Sequence, residues 1–121
     1  MSTEVKVVNI REFLKVKVQG VVDLQSSKDA LSRLSSVSPD SPNIDFLVDV
    51  RESPVTLSLA EITELVSEFN TMRVGAGRRT AVLTEKPHFD NAEFFAILAR
   101  GRGNEVQAFT SLEEALDWLA T

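Results

Sequence analysis

The sequence predicts an α/β fold: a mostly parallel sheet of about five strands with helices packed on it. Two observations carry this. Short apolar runs with the alternation of strands are separated by segments whose apolar residues recur at helical spacing. Four segments of the second kind open at a Ser, Thr or Asp with an acidic residue three positions on, the pattern that caps a helix start. Strands alternating with helices call for crossover connections, and crossovers join parallel strands. The predicted order is β β α β α β α β α.

The chain begins with two short strands. Leu14, Lys15, Val16, Lys17 and Val18 alternate apolar and basic side chains, as a strand with one buried face does. Residues 4–10 form a weaker strand, and residues 9–12 are the turn between the two, so the first pairing is antiparallel. Gly20 ends the second strand. Ser26 with Asp29 reads as the start of a helix carrying Ala30, Leu31, Leu34 and Val37. The Ser-, Pro- and Asp-rich residues 36–43 read as an ordinary connection. Residues 44–50 (IDFLVDV) form a central strand. Ile44, Phe46, Val48 and Val50 share one face; on the other, with Asp45, Leu47 and Asp49, only the middle reads as fully buried.

Ser58 with Glu61 caps the clearest helix, whose apolar stripe runs Leu59, Ile62, Leu65, Val66, Phe69, Met72. Gly75 and Gly77 provide its C-cap and turn. Residues 80–84 (TAVLT) form a buried strand that Pro87 prevents from continuing. Asp90 with Glu93 caps the third main helix, which ends at Gly101 and Gly103. Residues 105–109 form the last strand. Thr110 with Glu113 caps the last helix, where Leu112, Ala115, Leu116 and Leu119 share a face and Trp118 packs at the end.

Composition narrows the function. A chain of 121 residues with 43% hydrophobic and 26% charged side chains is one ordinary globular domain. Its longest apolar run, residues 94–99, is six residues, far from the roughly 20 that cross a bilayer. The N-terminus has no basic stretch leading into an apolar one, so no signal peptide is expected and the cytoplasm is the expected compartment. The absence of cysteine removes disulfides, thiol nucleophiles and thiolate metal sites. A net charge of −5 argues against a nucleic-acid partner.

Candidate site residues gather at the C-terminal edge of the predicted sheet, where open α/β sheets bind their ligands. Asp49, Arg51, Ser53, Ser58, Lys86 and His88 all belong there. A Ser–His–Asp triad can be written from them, but the G-x-S-x-G elbow is absent and capping accounts for Ser58. One histidine and scattered carboxylates build no metal site. The glycines of GAGRRT (residues 75–80) follow a helix and precede a strand, the reverse of a phosphate loop. No catalytic, cofactor-binding or metal site is expected. The unusual element is the third helix: from 92 to 99 only Glu93 is not apolar, more than one sheet-facing stripe absorbs. Neighbouring helices can cover the excess; otherwise Phe94, Phe95 and Leu98 serve a subunit interface or an apolar ligand cleft, with Asp49, Arg51 and His88 beside it.

LKVKVQG (14–20), FLVDVRE (46–52) and EVQAFTSLEEALDWL (105–119), in this order of elements, resemble the STAS domains, the group of the SpoIIAA-type bacterial anti-sigma-factor antagonists. More narrowly the chain resembles uncharacterised SpoIIAA-like bacterial proteins with fold kinship to CRAL-TRIO lipid-binding domains. The resemblance implies a single non-enzymatic regulatory or protein-interaction module, self-associating as a homodimer. The CRAL-TRIO kinship implies the alternative, a binder of a small apolar or lipid-like ligand. The STAS resemblance also implies a phospho-switch serine at the start of the helix after the central strand, a position Ser58 occupies. Leu57 and Leu59 flank Ser58 where the family usually has Asp and a small residue.

Overall fold

The computed structural model describes residues 4–10, 13–37, 44–53 and 55–121. Five strands, β1 (Glu4–Ile10), β2 (Phe13–Gln19), β3 (Asp45–Asp49), β4 (Arg79–Leu83) and β5 (Glu105–Phe109), form one sheet in the order β1-β2-β3-β4-β5. β1 pairs antiparallel with β2; the other three pairings are parallel. The helices are α1 (Leu24–Val37), α2 (Leu59–Thr71), α3 (Phe89–Arg100) and α4 (Leu112–Ala120). The predicted order of nine elements is the observed one, with a 3-10 turn, Lys86–His88, added before α3.

Strand order explains where the helices lie. From β2 to β5 each crossover steps one strand in the same direction, and right-handed crossovers that all step one way put their helices on one face. Residues of α1, α2 and α3 share a core cluster with Val16, Val18, Phe46 and Val106. α4 follows the last strand and makes no crossover. It covers the opposite face, where Ala115 packs with Leu47, Ala81, Leu83 and Phe109.

The local starts and stops differ from the sequence reading at several points. α1 begins two residues before Ser26: Asp23 is its cap, with Asp23 Oδ1 accepting from Ser26 N at 2.8 Å and Ser26 Oγ accepting from Asp23 N at 3.0 Å. Asp29 instead accepts from the Gln25 side chain. α3 grows directly out of the 3-10 turn with no side-chain cap, so Asp90 lies inside its first turn, where a negative charge suits the helix dipole. α4 is capped by Ser111, whose Oγ accepts from Glu114 N at 3.3 Å, and not by Thr110 with Glu113. The errors at α1 and α4 have one cause: a capping pattern displaced by one to three residues is chemically equivalent until tertiary packing chooses the register.

The capping box of Ser58 and Glu61 is as predicted. The helix ends at Met72, and Arg73 (φ 57°) takes the left-handed conformation that glycine usually supplies. Gly75 answers a different need: a Cβ there would lie 2.5 Å from Cζ of Phe69. The stripe on α2 is buried from Ile62 to Phe69 only, since Leu59 is 60% and Met72 37% exposed. On α4, Leu116 is exposed, while Leu112, Trp118 and Leu119 pack against the core. On β3, Asp49 is as buried as Leu47, so its outer face is closed to the strand's end. The turn at residues 11–12 and the connection at 38–43 lie outside the described residues. No helix among the described residues is long and apolar enough to cross a membrane.

Candidate functional site

The C-terminal edge of the sheet brings together several of the residues singled out from sequence. Asp49, the last residue of β3, is 2% exposed. The Arg51 guanidinium holds it bidentately, Nε to Oδ1 at 3.1 Å and Nη2 to Oδ2 at 2.9 Å, and Arg51 N adds a third bond to Oδ1. Burial pushes the Asp49 carboxyl up, but the hydrogen bonds from Arg51 and the charges of Arg51 and Lys15 outweigh it and hold it below the usual range. The pair is thus a fixed local fork that seals this end of the sheet. Three of the hydrogen bonds that Asp49 accepts come from Arg51.

Beyond the fork the chain is pinned to the neighbouring loop. Val22 and Val55 form an isolated parallel bridge, and Thr56 N donates to Val22 O at 2.9 Å. Ser53 is buried, its Oγ donating to Val18 O at 2.6 Å. These contacts deliver Ser58 to the head of α2. Its Oγ accepts from Glu61 N at 3.1 Å while Glu61 Oε1 accepts from Ser58 N at 2.9 Å, and the residue stays exposed. Among the described residues no hydrogen bond joins the His88 imidazole to a serine or a carboxylate, so the three members of the written triad are not assembled. No group of three or more His, Asp or Glu among the described residues is arranged to hold a metal ion.

The residues of α3 separate. Phe95 turns inward and meets Phe69 of α2 edge-on, ring centroids 5.4 Å apart at 80°, a geometry worth about 0.5–1.5 kcal/mol beyond its buried area. Leu98 packs on the main core, and Ala96 and Ala99 are fully buried. Phe94 is half-buried. The large residue that faces outward is Ile97, 52% exposed, which the sequence reading did not single out. Spacing did not single it out, since Phe95 and Leu98, also three apart, share the inward face by the same rule.

A cleft lies between these three helices and the sheet, with a volume of about 150 Å³. Val16, Val48, Val82 and Thr80 belong to its floor, and Leu31, Leu65, Phe69 and Phe95 to its walls. Val48 and Val82 are register partners on the two central strands, on the face that the helices should close, yet both are only partly buried. His88 and Asn91 line the same cleft.

The opposite edge of the sheet carries the arginines of the glycine-rich stretch. Arg79 N donates to Asp45 Oδ1 at 2.8 Å, and its guanidinium bonds Glu105 Oε2, Trp118 O and Thr121 Oγ1. Arg78 lies over the Phe46 ring, 4.3 Å from its centroid. Arg100 Nη1 donates to Val106 O and Nη2 to Glu93. These cations hold the fold together. The Trp118 that closes the chain is likewise packed on Phe109, ring centroids 5.7 Å apart, and tied by Arg79.

No protein-family model matches the chain, and no curated protein matches it. Solved structures do match, and they define the class: the chain has the SpoIIAA-like fold. An anti-sigma factor antagonist from Mycobacterium paratuberculosis superposes with a TM-score of 0.72 at 16% identity, over 99% of this chain and 96% of that one. An uncharacterised protein with a SpoIIAA-like fold from Shewanella loihica gives 0.62 at 20% identity, over 97% and 93%. The Bacillus cell fate determinant SpoIIAA in its phosphorylated form gives 0.55 at 15% identity, over 97% and 98%. The resemblance drawn from the three sequence stretches holds at the level of fold.

Proposed function

We propose that this chain is a single-domain, non-enzymatic regulatory module of the STAS type, acting in the cytoplasm through protein contacts and self-associating. The observation that carries the reading is the head of α2. An exposed serine hydroxyl there stands next to Leu59, 60% exposed, at the position where the STAS resemblance implies a phospho-switch serine. A phosphate on Ser58 would sit on the helix N-terminus, which tolerates it. It would also meet the Glu61 carboxylate that now accepts from Ser58 N, and like-charge repulsion would open the capping box. The contact beside Leu59 would change with it. Self-association has its own support in Ile97 and Phe94 on the outer side of α3, since a twofold contact lets one patch serve both partners.

Two variants separate a cap from a switch. Ser58→Ala should lose about 1 kcal/mol of stability, and Ser58→Asp should be close to neutral because Asp caps as well as Ser. Sedimentation velocity on wild type, Ser58→Asp, Leu59→Glu and Ile97→Glu then reads the association state. The reading expects wild-type dimers that Ile97→Glu dissociates without lowering the melting temperature. A wild type that stays monomeric at all concentrations defeats self-association. Ser58 is a cap and nothing more if no phosphate is found on it in protein recovered from its native cells.

A further inference from the structure

The cleft under α1, α2 and α3 has features that a regulatory surface does not need. Its floor is laid by one face of the three central strands, and Val48 on β3 and Val82 on β4 remain partly open to it where a close-packed domain would bury them. Its volume of about 150 Å³ is enough to admit a small apolar guest. Along β4 the floor residues are Thr80, Val82 and Thr84, so the cleft follows the strand for four residues, about 13 Å. Apolar side chains fill the middle of that length and polar ones mark the ends. Thr84, His88 and Asn91 lie toward one end, and Thr80 lies at the other.

Thr80 is the telling group. It is 2% exposed, and its Oγ1 is buried with no hydrogen-bond partner among the described residues. A buried hydroxyl left unpaired is destabilising, and native proteins seldom keep one without a use. A single water is a poor partner there, because buried waters make about three hydrogen bonds and the side chains beside Thr80 on this face of the sheet are its register partners Phe46 and Val106. Among the described residues no Lys, Arg, Asp or Glu lines the cleft, so a full charge on a guest would go unpaired by them.

We infer that this cleft is a binding site for a neutral amphiphile of about octanol size, a hydrocarbon chain with one hydroxyl or carbonyl that pairs with Thr80 Oγ1. The site does not depend on the protein-contact reading: either can fail with the other intact, and the association state measured in the same samples tells them apart.

Titration of octanol, octanoate and octylamine into the full-length protein, followed by valine methyl NMR shifts, tests it. Octanol should saturate with shifts centred on Val48 and Val82, and the two charged chains should bind at least tenfold more weakly at neutral pH. Thr80→Val keeps the shape and removes the hydroxyl. It should melt no lower than wild type while octanol affinity falls by about tenfold, the worth of one good hydrogen bond. Val82→Ile, which narrows the cleft by one methylene, should weaken octanol without unfolding the chain and serves if Thr80→Val does not fold. Octanoate binding as tightly as octanol, unchanged octanol affinity in both variants, or no saturable shift up to the solubility limit would each overturn the inference.

Discussion

Ala81 and Val82 are neighbours on β4 and look out from opposite sides of the sheet. Ala81 is fully buried beneath α4, packed with Leu47, Leu83 and Phe109. Val82 faces three helices instead of one and is still partly open. At this point of β4 the side with less helix is the better closed, although farther out on that side Phe13, Lys15, Lys17 and Gln107 are only half-buried. Its two ends carry ion pairs: Asp49 with Arg51 at the C-terminal edge, and Arg79 with Glu105 at the other, where Arg79 also ties down the end of α4 through Trp118 O. On the three-helix side the helices meet one another, Phe69 against Phe95, and leave the cleft between themselves and the strands. Number of covering elements and quality of closure are separate properties. The first follows from topology, the second from which side chains fill the corners.

Truncation should divide the two sides most strongly. Leu83→Ala, under α4, should cost about 2–5 kcal/mol because it empties a close-packed site. Val82→Ala should cost less than half as much, since it enlarges a space that already exists; denaturant melts of both variants read the difference. Equal losses would mean the cleft closes in solution. Enlargement gives the converse. Ala81→Leu should destabilise by about 1–3 kcal/mol through overpacking, whereas Val82→Ile should stay within about 0.5 kcal/mol of wild type.

The smallest expected effect concerns the seal at the C-terminal edge. Asp49 titrates lower in the folded chain than in the unfolded one, where an aspartate titrates near ~3.9. The folded state therefore holds this proton less tightly, and the pair adds stability above about pH 4 that is lost as pH falls through the folded value. Melting temperature against pH should drop along that acid limb. Asp49→Asn should flatten the limb, and a limb of unchanged slope would show that the fork with Arg51 contributes nothing.

Much of the candidate site was readable before any coordinates. Ser58 with Glu61 was legible because a capping box is a local event, four residues long, that needs no partner from elsewhere. Asp49, Arg51 and His88 were placed on one edge because strand order and the site of ligands in open sheets follow from connectivity. Their chemistry was not legible: that Arg51 forks onto Asp49, two residues away, while His88 stands apart depends on side-chain directions after β3 and β4. Ile97 was missed because a helix that is apolar nearly all round has no periodicity to show which side faces water.

By itself the sequence determined the element order, the parallel sheet, the helix at 59–71 with its cap, and the exclusion of thiol chemistry, since each rests on spacing, propensity or the absence of a residue type. Only the tertiary structure decided the cap registers at Asp23 and Ser111, the inward turn of Phe95, and the closure at Ala81 beside the opening at Val82. The reason is geometric. Periodicity says that a side chain must be covered, but the depth of cover is set by how helices distant in the chain approach one another. That distance left Thr80 Oγ1 buried without a partner and Val48 and Val82 half open on the strands at the centre of the sheet.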